Sequence, residues 1–338
     1  MELYCGIDLH STNSYTVVLD GEDRVLFQRR LANDLDVIIA ALAPFGSEIS
    51  GIVVVATYNW YWLVDGLEAA GYRVHLANTW AIKQYDGLKY GDDRSDAAFL
   101  ARTLRLGLLP EGYIYPKQTR PLRDLLRKRA QLVRHSTAHL LSIQNLVARN
   151  TGRTPSGNRI KKLNQTDLPE LVGEGEVALA IGASLAVMAV LAEQIAAIEK
   201  VVLARARAAP AFGCLLSASG IGRVLGLTIL LETGDVGRFA KVGNFASYCR
   251  CVEAKRLSNG KRKGGGNRKC GNAYLAWAFV EAANFAIRYD PRASRYHERK
   301  KARTNGVVAI KAVAHKLARA CYYVMRDEVP FDSKRCFG

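Results

Sequence analysis

The first 76 residues alternate short strand patterns with short helix patterns, and this alternation restricts the possible folds more than any other feature. Three apolar stretches separated by polar turns predict a meander of three strands, and helices and buried strands then follow in turn. In chain order the predicted elements are the strands 3–8, 14–20 and 25–28, a helix at 35–42, a strand at 52–55, a helix at 61–70 and a strand at 73–76. This succession favours an α/β sheet of ribonuclease-H type. A doubly wound nucleotide-binding fold would need a glycine-rich phosphate loop after its first strand, and the sequence lacks one there.

Two long helices with a heptad-like apolar repeat are predicted in the middle of the chain. The first runs from about 121 to 149, and its repeat consists of Leu126, Val133, Leu140 and Val147. The second has apolar residues at alternating steps of three and four, namely Met188, Leu191, Ile195, Ile198 and Val202. The stretch 151–165 between them is polar, basic and rich in helix breakers. We expect an antiparallel coiled-coil hairpin, whose apolar seam either joins two protomers or is used in packing the two helices on each other.

Charge is distributed unevenly along the chain. Residues 1–116 hold 9 Lys and Arg against 15 Asp and Glu, whereas residues 117–338 hold 39 against 16. A strongly basic surface indicates a polyanionic partner, and nucleic acid is the first candidate. The alternatives are a basic soluble protein without such a partner, and a protein of anionic membrane surfaces, for which the sequence lacks a basic amphipathic helix with an aromatic face.

The segment 255–269 is the most basic part of the chain, with seven Lys and Arg, four glycines and no acid. It lacks the apolar residues that a core requires, so we expect a mobile loop that contacts phosphate groups, the alternative being a solvated linker. The candidate nucleic-acid-binding residues in this segment are Lys255, Arg256, Lys261, Arg262, Lys263, Arg268 and Lys269.

A second candidate for phosphate contacts is the stretch Ser219-Gly220-Ile221-Gly222, which lies between two predicted helices. Glycine–aliphatic–glycine between helices is typical of a helix-hairpin-helix element, whose turn exposes backbone N–H groups to a phosphate. A plain turn is the alternative. Gly220, Gly222 and Arg223 are therefore further candidate nucleic-acid-binding residues.

The sequence gives no indication of secretion or of a membrane span. Its first residues lack the basic and then apolar opening of a secretory segment, and no run of about 18 uncharged apolar residues is present. The seven cysteines are irregularly spaced. Cys249, Cys251 and Cys270 lie in one region without paired Cys-x-x-Cys spacing, so we expect reduced core thiols rather than a zinc site. A reducing cytoplasm fits these observations best.

Three aspartates are candidate metal ligands. Asp8 ends the first apolar strand, where a sheet can hold a carboxylate rigidly. Asp93 and Asp96 are three residues apart at the start of a predicted helix and face the same way, an arrangement that a cation between them would stabilise. Mg²⁺ prefers a few carboxylates together with water and phosphate oxygens. The alternative is that Asp92 or Asp93 caps the helix, and His10 either touches a phosphate or packs.

The motifs together resemble the transposases of insertion-sequence family 110, in its 1111-like group, over nearly the whole chain. The stretches that carry the resemblance are Gly6-Ile7-Asp8-Leu9-His10, Thr57-Tyr58-Asn59-Trp60-Tyr61-Trp62, Asp93-Arg94-Ser95-Asp96-Ala97, Ser219-Gly220-Ile221-Gly222 and Leu257-Ser258-Asn259-Gly260-Lys261 with Gly271-Asn272. The resemblance implies a RuvC-like domain with an Asp-Glu-Asp-Asp metal site at 1–116, a coiled-coil connector at 117–208 and a mostly helical C-terminal transposase domain at 209–338. It also relates the chain to pilin-gene invertases.

The resemblance implies catalytic roles for four residues of this chain. Asp8, Asp93 and Asp96 match three of the family's four metal carboxylates, and Ser258 matches its serine nucleophile. The fourth carboxylate is absent, because Val55 stands where the family has Glu. We expect three carboxylates to hold one Mg²⁺ well and a second poorly, which leaves the activity of this chain open.

The implied function is that of an RNA-guided DNA transposase or recombinase that cleaves and rejoins strands through a serine–phosphate intermediate. Its partners would be donor and target DNA, a structured guide RNA and at least one further copy of the chain. Two alternatives remain at this point. One is a metal-only junction nuclease, and the other is a catalytically impaired member of the family that acts as a nucleic-acid-binding scaffold.

Overall fold

The computed structural model describes residues 2–82, 92–207, 209–253, 255–265 and 270–338. The chain divides into two compact units, Met1–Lys117 and Gln118–Gly338. The first unit contains a mixed sheet with helices on both faces, and the second unit is mostly helical.

A five-stranded sheet forms the centre of the first unit, in the order β3-β2-β1-β4-β5. The elements are β1 (Leu3–Leu9), β2 (Asn13–Leu19), β3 (Val25–Ala32), α1 (Leu35–Leu42), β4 (Ile49–Val55), α2 (Tyr61–Ala69), β5 (Val74–Ala77) and α3 (Asp93–Arg105). The first three strands are antiparallel, whereas β4 pairs parallel with β1 and β5 parallel with β4. The predicted succession of strands and helices is confirmed. The strand β3 continues four residues beyond its predicted end, which the sequence did not indicate because most of this edge strand is exposed and has no apolar alternation.

Alternating residues of β1 face opposite sides of the sheet. Cys5, Ile7 and Leu9 join the core formed with α1 and α2. Gly6 and Asp8 therefore face the opposite side, where α3 packs. Gly6 permits this packing, because a Cβ atom there would overlap the backbone oxygen of Ala97 and lie 2.8 Å from the backbone nitrogen of Ala101. The glycine thus brings the start of α3 close to the end of β1.

We expect Gly6→Ala to destabilise the first unit by about 1–3 kcal/mol, because either α3 or β1 must move to admit one methyl group. Urea unfolding followed by tryptophan fluorescence measures this, since Trp60, Trp62 and Trp80 of the chain's four tryptophans lie in this unit. Gly21→Ala is the matched control, because nothing lies within 4 Å of its added Cβ. Equal stability of the two variants would show that the close approach of α3 and β1 does not restrict position 6.

The second unit contains eleven described α-helices and one β-hairpin. They are α4 (Arg120–Thr151), α5 (Gly157–Ile160), α6 (Leu168–Val172), α7 (Glu176–Ala206), α8 (Pro210–Leu216), α9 (Arg223–Thr233), α10 (Val242–Tyr248), β6 (Lys255–Ser258), β7 (Lys261–Gly265), α11 (Ala273–Tyr289), α12 (Pro291–Lys301), α13 (Gly306–Asp327) and α14 (Ser333–Phe337). The main core of this unit lies between α9, α10, α11 and α13, with Phe245 and Phe279 at its centre.

The helices α4 and α7 pack against each other as an antiparallel hairpin. Leu126 near the start of α4 clusters with Val202 near the end of α7. At the other end, Val147 of α4 clusters with Ile181 and Met188 of α7. The short helices α5 and α6 pack on this second end, where they contribute Ile160 and Leu168.

One described helix, α7, is long and apolar enough to cross a membrane by length and composition, with a mean hydropathy of 1.9 over its best window. The sequence analysis considered runs of about 18 uncharged apolar residues, and the uncharged stretch of α7, 177–192, is shorter than that. Core helices of soluble proteins pass the same test, and one side of α7 packs on α4. Its other side is apolar and exposed, at Leu179, Val187, Val190 and Val201.

Candidate functional site

Asp8 and Asp93 meet where the end of β1 faces the start of α3. Asp8 is almost buried, with 8% of its surface exposed. The helix α3 is capped by Asp92, whose Oδ1 accepts a hydrogen bond from the Ser95 backbone nitrogen at 2.7 Å, while Ser95 Oγ accepts one from the Asp92 nitrogen. Since Asp92 provides the cap, the carboxylate of Asp93 is left for other contacts.

His10 lies with these two carboxylates in one cluster. Its Nε2 atom is 3.2 Å from Asp8 Oδ2 and 3.3 Å from Asp93 Oδ1. One ligand atom from each of Asp8, His10 and Asp93 lies within 4.8 Å of the others. Within the described ranges, this is the one group of three or more His, Cys, Asp or Glu residues with such spacing. Two carboxylates and an imidazole are suitable ligands for one divalent cation, so the residues fit a metal site.

The pKa of the Asp8 carboxyl is raised from its ordinary value. Burial raises it most, the neighbouring His10 lowers it, and the negative charges of Asp96 and Asp93 raise it further. Asp96 is thus close enough to repel Asp8, although it is outside the closest cluster. A bound cation would relieve this repulsion between the three acids.

Val55 ends β4 next to Asp8. Ile7 pairs with Val54 in the parallel register, so the next residue of each strand, Asp8 and Val55, are neighbours. Val55 packs against the cluster of Val53, Ala77 and Leu100, the last of which belongs to α3, and therefore lies on the same face of the sheet as Asp8. The position that carries Glu in the resembled family is thus beside the cluster, and here its side chain offers no ligand.

The sequence did not indicate the hydrogen bonds that hold the backbone of His10, and it did not indicate that Arg30 binds Asp93. The His10 backbone nitrogen donates to Asn13 O, and its carbonyl accepts from Asn33 Nδ2 at 3.0 Å and from Asn59 Nδ2 at 2.9 Å. Arg30 Nη2 donates to Asp93 Oδ2 at 2.6 Å. Asn33 and Asn59 lie in the segments that follow β3 and β4, and only folding brings these segments to His10.

Ser258 lies in the second unit at the end of β6, next to a tight turn. It pairs with Lys261 of β7, and the turn residues Asn259 and Gly260 have φ angles of 51° and 69°. Left-handed angles at both positions of an Asn-Gly pair are those of a two-residue hairpin turn. Residues 255–265 therefore form a hairpin and not the expected loop, because the Asn-Gly turn permits strand pairing that the basic composition did not suggest. Ser258 itself is exposed.

The candidate nucleic-acid-binding residues are only partly described. Lys261 and Lys263 are exposed on β7, and Arg223 is exposed at the start of α9. Arg268 and Lys269 lie outside the described residues, as do the side chains of Lys255, Arg256 and Arg262.

Gly220 and Gly222, the two glycines considered for phosphate contacts, have different structural roles. Gly220 has a φ of 93° and contacts the α11 backbone so closely that a Cβ would overlap Ala282 O, which gives it a packing role. Gly222 precedes α9 without a side-chain cap, so the first N–H groups of α9 have no capping side chain.

Two of the three cysteines considered for a zinc site, Cys249 and Cys251, have a raised pKa. Burial raises the pKa of Cys249 strongly and that of Cys251 to about 12. Cys270 is partly buried. Both shifted groups are poor nucleophiles and poor metal ligands at neutral pH.

A buried ionic network joins α4, α9 and α11. Glu232 of α9 is 2% exposed and accepts from Arg123 at 3.1 Å, from Arg127 at 2.5 and 2.7 Å and from Asn272 at 2.7 Å. Asn272 also caps α11, through hydrogen bonds from the Tyr274 and Leu275 nitrogens. Burial raises the pKa of Glu232, but the two arginines and Asn272 outweigh it and hold this pKa below its usual value.

We expect Glu232→Gln to destabilise the second unit by about 3–5 kcal/mol at pH 7, because it removes the buried charge to which both arginines donate. Because the folded-state pKa is lowered, this stabilisation is present above the unfolded-state pKa of about 4.3 and is lost as the pH falls through the folded value. Urea unfolding followed by circular dichroism at pH 7 and pH 3.5 measures it.

The matched control is Glu199→Gln, which removes a half-exposed partner of Arg129 and should cost about 0–1 kcal/mol. A Glu232→Gln effect as small as that of the control, or one that grows towards low pH, would contradict the assigned ionisation of Glu232.

Comparison with known proteins identifies the family. Residues 5–149 match the sequence model of DEDD transposases of the IS110 type, and residues 213–298 match that of the "Transposase IS116/IS110/IS902 family". The "Putative transposase y4qE" of Sinorhizobium fredii is 25% identical over 237 residues, which are 70% of this chain. The chain spans 57% of the length of that relative. Because both sequence models describe one family and together cover most of the chain, the protein belongs to the IS110 family of insertion-sequence transposases.

Proposed function

We propose that the chain is an RNA-guided DNA transposase or site-specific recombinase that cleaves and rejoins strands with a metal site and a serine. The observation that carries this proposal is the cluster of Asp8, His10 and Asp93, which lies within the part of the chain matched by the DEDD transposases. The cationic excess of residues 117–338 supports a nucleic-acid partner.

The topology of the first unit supports a ribonuclease-H or RuvC-like domain. Three antiparallel strands followed by two parallel ones, with an acid on the first and central strand, are what such a domain requires. We propose the division 1–116, 117–208 and 209–338 into this domain, a coiled-coil connector and a transposase domain. The antiparallel packing of α4 and α7 supports the connector, and the Gly220–Gly222 turn before α9 supports a helix-hairpin-helix-like element.

Asp8, Asp93 and Asp96 would hold a divalent cation, which we take to be Mg²⁺. When bound, the ion neutralises charge that develops on a scissile phosphate and lowers the pKa of an attacking hydroxyl. The residues of the chain position this ion: the sheet fixes Asp8, and the capped first turn of α3 fixes Asp93 and Asp96.

Ser258 is the proposed nucleophile. The hydroxyl of Ser258 gives up its proton as its Oγ forms a bond to the phosphorus of a DNA phosphodiester. The bond from phosphorus to the leaving sugar oxygen breaks, and that oxygen takes up a proton, so the number of protons is unchanged. Attack by a sugar hydroxyl of the new partner strand reverses these steps and releases the serine, so rejoining requires no ATP. The exposed position of Ser258 at a hairpin turn supports access to a large substrate.

The proposed partners are donor and target DNA, a structured guide RNA and further copies of this chain in the cytoplasm. Strand exchange involves several DNA ends and so requires more than one protomer. The exposed apolar side of α7 is the part of the connector that supports such an association.

A specific observation favours a second candidate function. Val55 leaves the position beside Asp8 without an acid, which favours a catalytically impaired copy that still binds RNA and DNA. A metal-only junction nuclease, in which Ser258 serves as a phosphate contact, is distinguished from the main proposal by the absence of a covalent protein–DNA adduct.

The test is a strand-exchange assay with the cognate RNA and DNA, run for the unmodified chain and for Val55→Glu in parallel. We expect exchange by both proteins, and at least about tenfold faster exchange by Val55→Glu, because the added carboxylate lies beside Asp8 and completes the ligand set. Exchange by Val55→Glu alone would establish the impaired scaffold. Absence of exchange in both, with intact nucleic-acid binding, would contradict recombinase activity.

A further inference from the structure

The imidazole of His10 has the position of a metal ligand. Its Nε2 atom is inaccessible to solvent, and its contacts with Asp8 and Asp93 lack the direction of hydrogen bonds. Adjacent ligands of an octahedral ion at about 2.1 Å are about 3.0 Å apart. The separations of His10 Nε2 from the two carboxylate oxygens, 3.2 and 3.3 Å, are close to this value, and all three ligand atoms lie within 4.8 Å of one another.

Three hydrogen bonds hold the backbone of His10 in place. Asn13 accepts from its nitrogen, and Asn33 and Asn59 donate to its carbonyl. Thr57 Oγ1 in turn donates to Asn59 Oδ1 at 2.9 Å, which fixes the amide with its nitrogen towards His10. A surface histidine that merely fills space does not need such support, whereas a ligand must be held within a fraction of an ångström.

The two oxygens of Asp93 are directed at different partners. Oδ2 accepts a hydrogen bond from Arg30, and Oδ1 faces His10. Arg30 therefore neutralises one side of the carboxylate and leaves the other available to an ion. Val55, the neighbour of Asp8 on β4, provides no ligand. The imidazole of His10 is therefore the third ligand group that lies with Asp8 and Asp93.

We propose that His10 is a metal ligand that replaces the missing acid at position 55, and that the resulting site prefers Mn²⁺ to Mg²⁺. The proposal rests on the proposed metal site at Asp8 and Asp93. Its chemical basis is that Mg²⁺ selects oxygen ligands, whereas first-row transition ions also accept an imidazole nitrogen.

The test measures metal binding by the full-length protein without DNA. MnCl₂ and MgCl₂ are titrated calorimetrically, and pulsed electron paramagnetic resonance of the Mn²⁺-loaded protein detects coupling to a ligand nitrogen. We expect Mn²⁺ to bind at least about tenfold more tightly than Mg²⁺ and the spectrum to show nitrogen coupling. His10→Ala should weaken Mn²⁺ binding about 10–100-fold, change Mg²⁺ binding much less and remove the coupling.

His135→Ala is the matched control, because it removes an exposed imidazole from α4 in the other unit and should change nothing. In the double variant Val55→Glu with His10→Ala, the restored acid should narrow the difference in affinity between Mn²⁺ and Mg²⁺. Mn²⁺ binding to the unmodified chain without nitrogen coupling would overturn the role of His10 and leave the metal site intact. Failure of both ions to bind the unmodified chain and Val55→Glu would instead remove the proposed metal site itself.

Discussion

Ser258→Ala should eliminate the covalent protein–DNA adduct and reduce strand exchange by at least about 10³-fold, as expected for loss of a nucleophile. The fold and the affinity for nucleic acid should remain nearly unchanged, because the hydroxyl is exposed at a turn whose geometry depends on Asn259 and Gly260. The adduct is measured on a suicide DNA substrate, from which the broken strand cannot be rejoined. The experiment uses the Val55→Glu background if the unmodified chain is inactive, since two inactive proteins cannot be compared.

Ser247→Ala is the control for this substitution, because Ser247 is also exposed and lies in the same unit, at the end of α10. We expect it to form the adduct at the normal level. An adduct that persists in Ser258→Ala would place the nucleophile elsewhere, with Ser247 and Tyr248 as the next candidates to substitute.

Asp93→Asn and Asp96→Asn should each reduce metal-dependent DNA cleavage by more than about 100-fold while leaving RNA binding nearly intact. The reason is that each change removes a proposed ligand, and loss even of a group that only supports a ligand costs about 10–100-fold. Cleavage of a labelled duplex over a range of metal concentrations measures the effect, and circular dichroism reports whether α3 is retained.

Asp92→Asn is the control that separates metal binding from helix capping. Asparagine still accepts the hydrogen bond from the Ser95 nitrogen, so α3 should form and cleavage should continue. Equal loss of cleavage in Asp92→Asn and Asp93→Asn would indicate that this end of α3 needs its negative charge in general, and would contradict a specific ligand role for Asp93.

The sheet and the long helices could be predicted from sequence because each leaves a periodic apolar pattern. Strands β1 and β4 are buried on both faces and appear as nearly continuous apolar runs, and the repeat from Leu126 to Val147 marks α4. The exposed end of β3 has no such pattern. The hairpin at Ser258 was readable from its Asn-Gly pair, but the charge of the surrounding residues outweighed that indication.

The site was predictable only where its residues are close in sequence. Asp93 and Asp96 share one helical turn, so their spacing is sufficient. The position of His10 depends on Asn33 and Asn59, which folding brings from 23 and 49 residues away. Glu232 appears in sequence as a polar residue at the end of an apolar helix, and its partner Arg123 is 109 residues distant. Such contacts have no local pattern.

The two ends of the α4–α7 hairpin pack against different parts of the second unit. We therefore expect the two ends to unfold with different free energies. The end near Leu126 and Val202 is joined to α9 through apolar contacts and the Glu232 ion pairs, so its opening would disrupt buried charge. The end near Val147 and Met188 is supported by its own cluster with α5 and α6 and by a hydrogen bond from Gln144 Nε2 to the Pro155 carbonyl. We therefore expect local unfolding to start at this far end, which can fray and refold while the rest of the unit stays native.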